Sequence, residues 1–265
     1  MTLELLISTM HQDDHALLER MQVQSDAVVV NQCDREGETI LEHRGHRVVW
    51  IDTRERGLSR SRNMALAHAT AELCMLADDD MIYRPGYAET VQAAFGRLDA
   101  ELIRFRVEGI EKPFKTYPET ERRLRFFGSM RAASVELAFR RTALTARGLR
   151  FDERIGTGTE FLMGEENALL AHCLRAGLRL CFVPETVADL HMGDSTWLSG
   201  HDARFFRGKG AAFAAMETPF TALLILQFAL RKRALYRNEL STGEAIRQMR
   251  RGARLYRERR REHDS

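Results

Sequence analysis

Apolar residues fall along the chain in short runs separated by amphipathic stretches. Leu3–Ile7 predicts a buried strand, and His15–Val23 predicts a helix. Two runs rich in β-branched residues, Ala27–Val30 and Arg47–Ile51, predict further strands. Ser59–Thr70 predicts a helix, with Met64, Ala65, Leu66, Ala67 and Ala69 at its small and apolar positions. Leu73–Ala77 is a fourth strand and ends in three aspartates. Tyr87–Leu98 is helical after the turn at Pro85-Gly86, and Leu102–Val107 returns to strand character. Short apolar strands alternating with helices of about ten residues predict an α/β fold with a largely parallel sheet.

Gly109–Arg131 breaks this rhythm: it is polar, contains Pro113 and Pro118, and has no clear period. A long excursion inside a compact domain is usually functional. Beyond it, Ser134–Phe139 predicts a strand, Glu165–Ala176 a helix ending at Gly177, and Arg179–Val183 another strand. No internal repeat is apparent. The expected organisation is one domain over residues 1–215, followed by a helical extension over 216–265.

Composition narrows the class. The chain has 265 residues, 44% of them hydrophobic, with 18 Gly and 5 Pro, which excludes collagen-like and wholly disordered chains. The four cysteines (Cys33, Cys74, Cys173, Cys181) have no CxxC spacing and are expected to be buried free thiols of a reducing compartment. Leu3–Ile7 is too short for the apolar region of a signal peptide and follows no basic segment. The run Phe220–Leu230 is shorter than the ~20 residues of a spanning helix. A cytoplasmic protein, peripheral to a membrane at most, is expected. The net charge of +2 conceals an asymmetry. Arg231–Ser265 holds 12 Lys and Arg against 5 Asp and Glu, a net of +7, which leaves Met1–Leu230 at −5.

Four constellations could carry chemistry. In Leu73-Cys74-Met75-Leu76-Ala77-Asp78-Asp79-Asp80, three carboxylates close an apolar strand. They read either as a solvated acidic turn or as a site for a hard divalent cation, and ligand crevices of open α/β sheets lie at such strand ends. Arg56-Gly57-Leu58-Ser59-Arg60-Ser61-Arg62-Asn63 opens a helix. Its unpaired N–H groups and arginines suit a phosphate, or make an exposed basic helix start. Gly164-Glu165-Glu166-Asn167 opens another helix. Its acids either complement the dipole or include a general base. His191 lies in Asp189-Leu190-His191-Met192-Gly193-Asp194-Ser195-Thr196. No HExxH spacing supports a zinc hydrolase.

In this order the residues resemble the family 2 glycosyltransferases, nucleotide-sugar enzymes of the GT-A fold, from Leu3–Thr9 to about His191. Gly57–Asn63, Leu66, Ala69 and Leu73–Asp80 are similar to the family's Gly–small–Arg-Asn helix, strand and DxD-type cluster. Glu165-Glu166 resembles its ED motif. Ser8-Thr9-Met10, Asn31-Gln32-Cys33-Asp34 and Gly164–Asn167 resemble a bacterial subgroup associated with surface polysaccharide synthesis. The resemblance implies a GT-A, Rossmann-like mixed and mostly parallel sheet flanked by helices. It places Thr9 beside the nucleobase, and Asn31 or Asp34 where the family's base-holding acids stand. It sets Arg62 at the diphosphate, Asp78 and Asp79 at the ribose and sugar, and Asp80 at a Mn²⁺ or Mg²⁺ ion with His191 as a further contact. Glu166, beside Glu165, takes the position of the family's catalytic Asp. The implied reaction is an inverting transfer from a nucleotide-sugar donor, UDP-linked in the family's usual form, to a hydroxyl of a glycan or lipid-linked glycan. Specificity is expected from Gly109–Arg131 and Gly156–Gly164.

Two other classes compete. A sugar-nucleotide nucleotidyltransferase would carry a Gly-rich loop after the first strand, where this chain has Ser8-Thr9-Met10-His11-Gln12. A non-catalytic binding protein would use the basic tail, with Arg247, Arg250, Arg251, Arg254, Arg257 and Arg259–Arg261 largely at helical spacing. The tail's few aromatics, Tyr236 and Tyr256, argue against nucleic acid. With Phe220–Leu230 before it, the tail reads as an element near anionic lipid or as a solvated basic helix.

Overall fold

The computed structural model describes residues 1–193 and 200–264. Asp194, Ser195 and Thr196 of the His191 motif lie outside the described residues. The chain divides into two compact units. One comprises Met1–Arg56, Arg60–Arg150 and Cys173–Gly193; the other comprises Gly57–Ser59, Phe151–His172 and the segment from Asp194 onward.

The first unit is a mixed ten-stranded sheet with helices. Its elements run β1 (Leu3–Met10), α1 (Leu17–Arg20), β2 (Asp26–Gln32), β3 (Gly37–His43), β4 (His46–Thr53), α2 (Leu58–His68), β5 (Leu73–Asp78), β6 (Met81–Tyr83), α3 (Tyr87–Arg97) and β7 (Leu102–Gly109). There follow β8 (Arg122–Leu124), α4 (Phe126–Ser129), β9 (Leu137–Arg140), α5 (Arg141–Thr145) and β10 (Leu180–Leu190); before β10 comes α6 (Glu165–Arg175), whose residues up to His172 belong to the second unit. The sheet order is β3-β4-β2-β1-β5-β9-β7-β10-β6, with β8 on β10. Strands β4, β2, β1 and β5 are parallel, as is the β7–β10 pair, and β9 runs antiparallel between β5 and β7. Parallel strands are covered on both faces, so β1 and β2 read as near-continuous apolar runs and are almost wholly buried. Glu4 on β1 is the exception. Its buried carboxylate accepts the Thr70 and Ala71 N–H groups at 2.6 and 2.8 Å, satisfying the turn that follows α2.

Three elements depart from the apolar pattern. The helix expected over His15–Val23 shrinks to α1, because Gln22 turns left-handed (φ 53°) and Val23 bonds back to the Leu18 carbonyl. Strand β3 carries no apolar signal because it is an exposed sheet edge. It is joined to β4 by a two-residue turn with positive φ at Arg44 and Gly45. The expected strand Ser134–Phe139 begins with a 3₁₀ turn over Ser134–Glu136, and only then enters β9.

The Gly109–Arg131 excursion is anchored from beneath. Arg104 on β7 and Glu136 form a buried two-pronged ion pair at 2.9 and 3.0 Å. From the excursion, Tyr117 donates its hydroxyl to Glu136 at 2.6 Å, and Lys115 lies 3.1 Å from the same carboxylate. Excess positive charge and a third donor offset the cost of burying Glu136.

The second unit contains α7 (Ala203–Ala215), α8 (Thr221–Arg231), α9 (Arg233–Tyr236) and α10 (Thr242–Asp264). Helix α10 buries Ala245, Met249, Ala253 and Tyr256 on one face and exposes most of its arginines on the other. It meets α7 backbone to backbone. A Cβ at Gly210 would stand 1.9 Å from the Met249 carbonyl oxygen, and one at Gly252 1.9 Å from that of Arg207. Tyr256 then hydrogen-bonds Asp152, and the Arg154 guanidinium lies 5.1 Å over its ring. Among the described residues no helix is long and apolar enough to cross a membrane. All four cysteines are free, with three buried and Cys181 half-buried.

Candidate active site

Four adjacent parallel strands end on one polar row. Pairing sets Asp52 of β4 opposite Asn31 of β2, Asn31 opposite Thr9 of β1, and Ser8 opposite Asp78 of β5. Polar side chains at these positions follow from topology, since the carboxyl ends of parallel strands form the open rim of such a sheet.

Side chains join across the row. Thr9 donates to Asp79 at 2.6 Å and accepts from Gln12 Nε2 at 3.0 Å. Asn31 is wholly buried, and its amide nitrogen donates to Asp52 Oδ1 at 2.7 Å and to the Gln12 carbonyl at 2.9 Å. Its own carbonyl accepts the Gln12 N–H. Asp52 is held further by Trp50 and Arg35. Burial alone would raise its carboxyl, but the hydrogen bonds from Asn31, Trp50 and Arg35 outweigh it and lower it. Asp34 is exposed and paired with Arg56 at 2.7 Å. Asp52 and Gln12 are thus rim residues that local motif reading passes over. The signal for Asp52 was its place directly after the predicted strand Arg47–Ile51.

Helix α2 brings Arg62 under the row. Buried to 1% exposure, it donates to Asp78 Oδ1 at 3.0 Å and to Ser134 Oγ at 2.7 Å. Ser61 donates to Ser8 at 2.7 Å, tying the same helix to β1. Arg62 therefore reaches the rim through the Asp78 carboxylate it orients.

Asp78, Asp79 and Asp80 turn from β5 into β6. Crowding by protein around the Asp80 carboxyl, then the charges of Asp78 and Asp79, push it up to about 6, although the residue keeps an exposed edge. The His191 N–H bonds the Asp80 carbonyl at 2.9 Å, which brings the end of β10 beside the cluster. His191 Nδ1 pairs with Glu111 at 2.8 Å. That bond, with the Met192 N–H, lowers the Glu111 carboxyl to about 2. Among the described residues no group of three or more His, Cys, Asp and Glu is arranged to hold a metal. The chemistry of Asp80 and His191 nonetheless fits a hard divalent ion. Three crowded carboxylates make a field that a cation relieves, and carboxylate and imidazole are ligands that Mn²⁺ accepts. Beside them a cavity of ≈ 450 Å³ is lined by Arg106, Glu108, Glu111, Phe114, Lys115 and Tyr117.

The second unit holds the other acidic pair. Glu165 and Glu166 open α6, where the helix dipole favours them. Glu165 is buried at 6% exposure and Glu166 half-buried. Gly156 has φ +106°, and a Cβ there would lie 3.0 Å from Ser59 Oγ and 3.2 Å from Glu165 Oε2. Glycine is required at this close approach. Ser59 Oγ donates to the Ile155 carbonyl at 2.7 Å, and Leu58 N–H to Thr157, so both ends of this loop are fixed. Lys209 of α7 is a charged neighbour that motif reading missed. Burial around its ammonium lowers it below the ordinary amine range, against the opposing pull of Glu166 and then Glu165.

A mixed sheet with a polar rim on its four parallel strands, an acid cluster after β5 and an acidic pair opening a later helix define a glycosyltransferase. Residues 10–163 match the model for glycosyl transferase family 2, more than half the chain, and the protein belongs to that family. Its fold is shared with *S*. *aureus* TarS 1-349. The complex with UDP superposes with a TM-score of 0.61 at 12% identity, covering 90% of this chain and 74% of that one. The complex with UDP-GlcNAc gives the same figures. TarS 1-349 alone gives 0.63 at 10% identity, covering 97% and 83%. No curated protein matches the chain by sequence.

Proposed function

We propose that this glycosyltransferase moves a sugar from a UDP-sugar donor to a hydroxyl of a glycan or lipid-linked glycan, with inversion, in bacterial surface-polysaccharide synthesis. The observation that carries the reading is the continuous rim Asp52–Asn31–Thr9–Asp79 beside Asp78 and Asp80. It offers hydrogen-bonding groups for a base and ribose, with acids beside them where a diphosphate and its cation would sit. UDP and UDP-GlcNAc bound to the TarS fold support the same donor class.

In this reading Thr9 and the Asn31–Asp52 pair face the base with Asp34 nearby, and Arg62 fixes Asp78 toward the ribose and sugar. Asp80 and His191 would hold Mn²⁺ or Mg²⁺, which when bound supplies charge stabilisation for the departing nucleoside diphosphate. Glu166 takes the proton from the acceptor hydroxyl as its oxygen attacks the anomeric carbon. The cavity over Arg106–Tyr117 receives acceptor groups. The enzyme works in the cytoplasm, with its basic C-terminal region against a membrane.

A thermal-shift series with UDP, GDP, CDP and their sugars, with and without Mn²⁺, tests the donor assignment, because a ligand binding the native state raises apparent stability. UDP compounds are expected to raise the melting temperature, and more so with Mn²⁺. A response to GDP or CDP compounds in their place overturns the choice of base, and no response to any overturns the donor class.

A further inference from the structure

Helix α8 presents an unusual face to water. Leu223, Leu226 and Leu230 are 57%, 46% and 59% exposed, and Phe220 just before the helix is 58% exposed. Their spacing of three and four residues puts them along one side, while Leu224, Ile225 and Ala229 are buried on the other. A helix on an ordinary protein surface carries charges outward; here the outward stripe is leucine.

The charge along the helix and the turn that follows it has one sign. From Thr218 to Asn238 the chain has no Asp or Glu, and it holds Arg231, Lys232, Arg233 and Arg237, all exposed. A cavity of ≈ 450 Å³ adjoins the start of the helix, lined by Thr218, Thr221, Glu217, Arg257, Arg260 and Arg261 among others. Arg260 pairs with Glu217 there, and Arg257 and Arg261 line the same recess. Hydroxyls and arginines in such a recess suit a phosphate group.

We infer that α8 is an interfacial anchor that lays Phe220, Leu223, Leu226 and Leu230 into the surface of an anionic phospholipid bilayer, with the arginine-lined recess at its start receiving a lipid phosphate. This rests on the reading that the C-terminal region contacts a membrane, and it names the element that does so. Apolar insertion flanked by basic residues is the physical signature of an interfacial helix. It assigns the contact to α8 rather than to the length of α10, whose arginines are partly engaged by Glu244, Glu258, Glu262 and Glu160.

The test is flotation of the full chain with vesicles of phosphatidylcholine alone or containing phosphatidylglycerol. Binding to the phosphatidylglycerol vesicles is expected, weakening with salt. L223Q/L226Q should lower it at least about tenfold. R257Q/R261Q should lower it about tenfold and flatten its salt dependence. R250Q/R254Q on the outer face of α10 should change it far less. Unchanged melting curves verify folding of each variant, since every substituted side chain is exposed. If the unaltered chain floats with neither vesicle, the membrane reading and the anchor both fall. If it floats but L223Q/L226Q floats equally, the anchor alone is overturned. Loss of a dimer on size exclusion in L223Q/L226Q, with vesicle binding intact, makes the stripe a self-association face and also overturns it.

Discussion

Arg62 is sealed inside the protein, yet its Nη2 lies 3.0 Å from Asp78 Oδ1, a carboxylate that remains 31% exposed at the rim. The pair is lopsided: a buried cation holds a half-open anion. Removing the anion takes compensation from a buried charge, whereas removing the cation releases a carboxylate that water can solvate. Asp78→Ala is expected to destabilise by about 1–3 kcal/mol, below the ~3–5 kcal/mol of a fully buried pair because solvent screens Asp78. Arg62→Met should cost less stability but weaken donor binding through a misaligned Asp78. Urea unfolding of both variants checks this, and a larger loss in Arg62→Met would contradict it.

Glu166→Gln keeps the shape of the side chain and removes its basicity. Transfer is expected to fall at least about a hundredfold, the low end for a general base, with donor affinity retained. Release of nucleoside diphosphate and calorimetric donor binding separate the two effects. Wild-type turnover would end the assignment of Glu166 as base.

Asp80 makes the metal-free protein sensitive to pH. Its carboxyl rises from an ordinary 3.8 to about 6, so the folded state prefers it protonated. The associated stability is complete below about pH 4 and is lost as pH rises through about 6. Asp80→Asn should therefore flatten the melting profile of the metal-free protein between these limits. Mn²⁺ should raise the melting temperature of the unaltered protein above pH 6 and leave that of Asp80→Asn nearly unmoved. Equal Mn²⁺ shifts in both proteins would separate Asp80 from cation binding.

Gly252→Ala should lower stability by about 1–3 kcal/mol or more, the range for overpacking, since its Cβ would run into the Arg207 carbonyl. Gly243→Ala is the control: the nearest neighbour of its added carbon is Ser241 Oγ at 4.0 Å. That change should be neutral or slightly stabilising in α10. Denaturant midpoints of the two variants should differ clearly; coincident midpoints would deny the close helix crossing.

The parts of the fold that announced themselves were those where burial is two-sided. Strands β1, β2 and β5 are near-continuous apolar runs because both faces are covered, and the acids ending β5 stood out against them. Strand β3 was invisible because its side chains face water. The Arg104–Glu136 pair and its cap by Tyr117 join residues far apart in sequence, so no local spacing announces them. At the rim, Thr9, Asn31, Asp78 and Asp79 stood in the motifs, but the register placing Asn31 against Asp52 is a relation between strands. Lys209 was missed for the same reason, as it meets Glu165 and Glu166 only through folding.

The strand order also sets a timetable for the newly made chain. β1 is made some seventy residues before its neighbour β5, and β5 must await β9 before its other edge is closed. β7 in turn waits for β10, so the sheet beyond β9 keeps an open edge until about residue 190 has been made. Such distant pairings fold slowly and expose unpaired strand edges meanwhile.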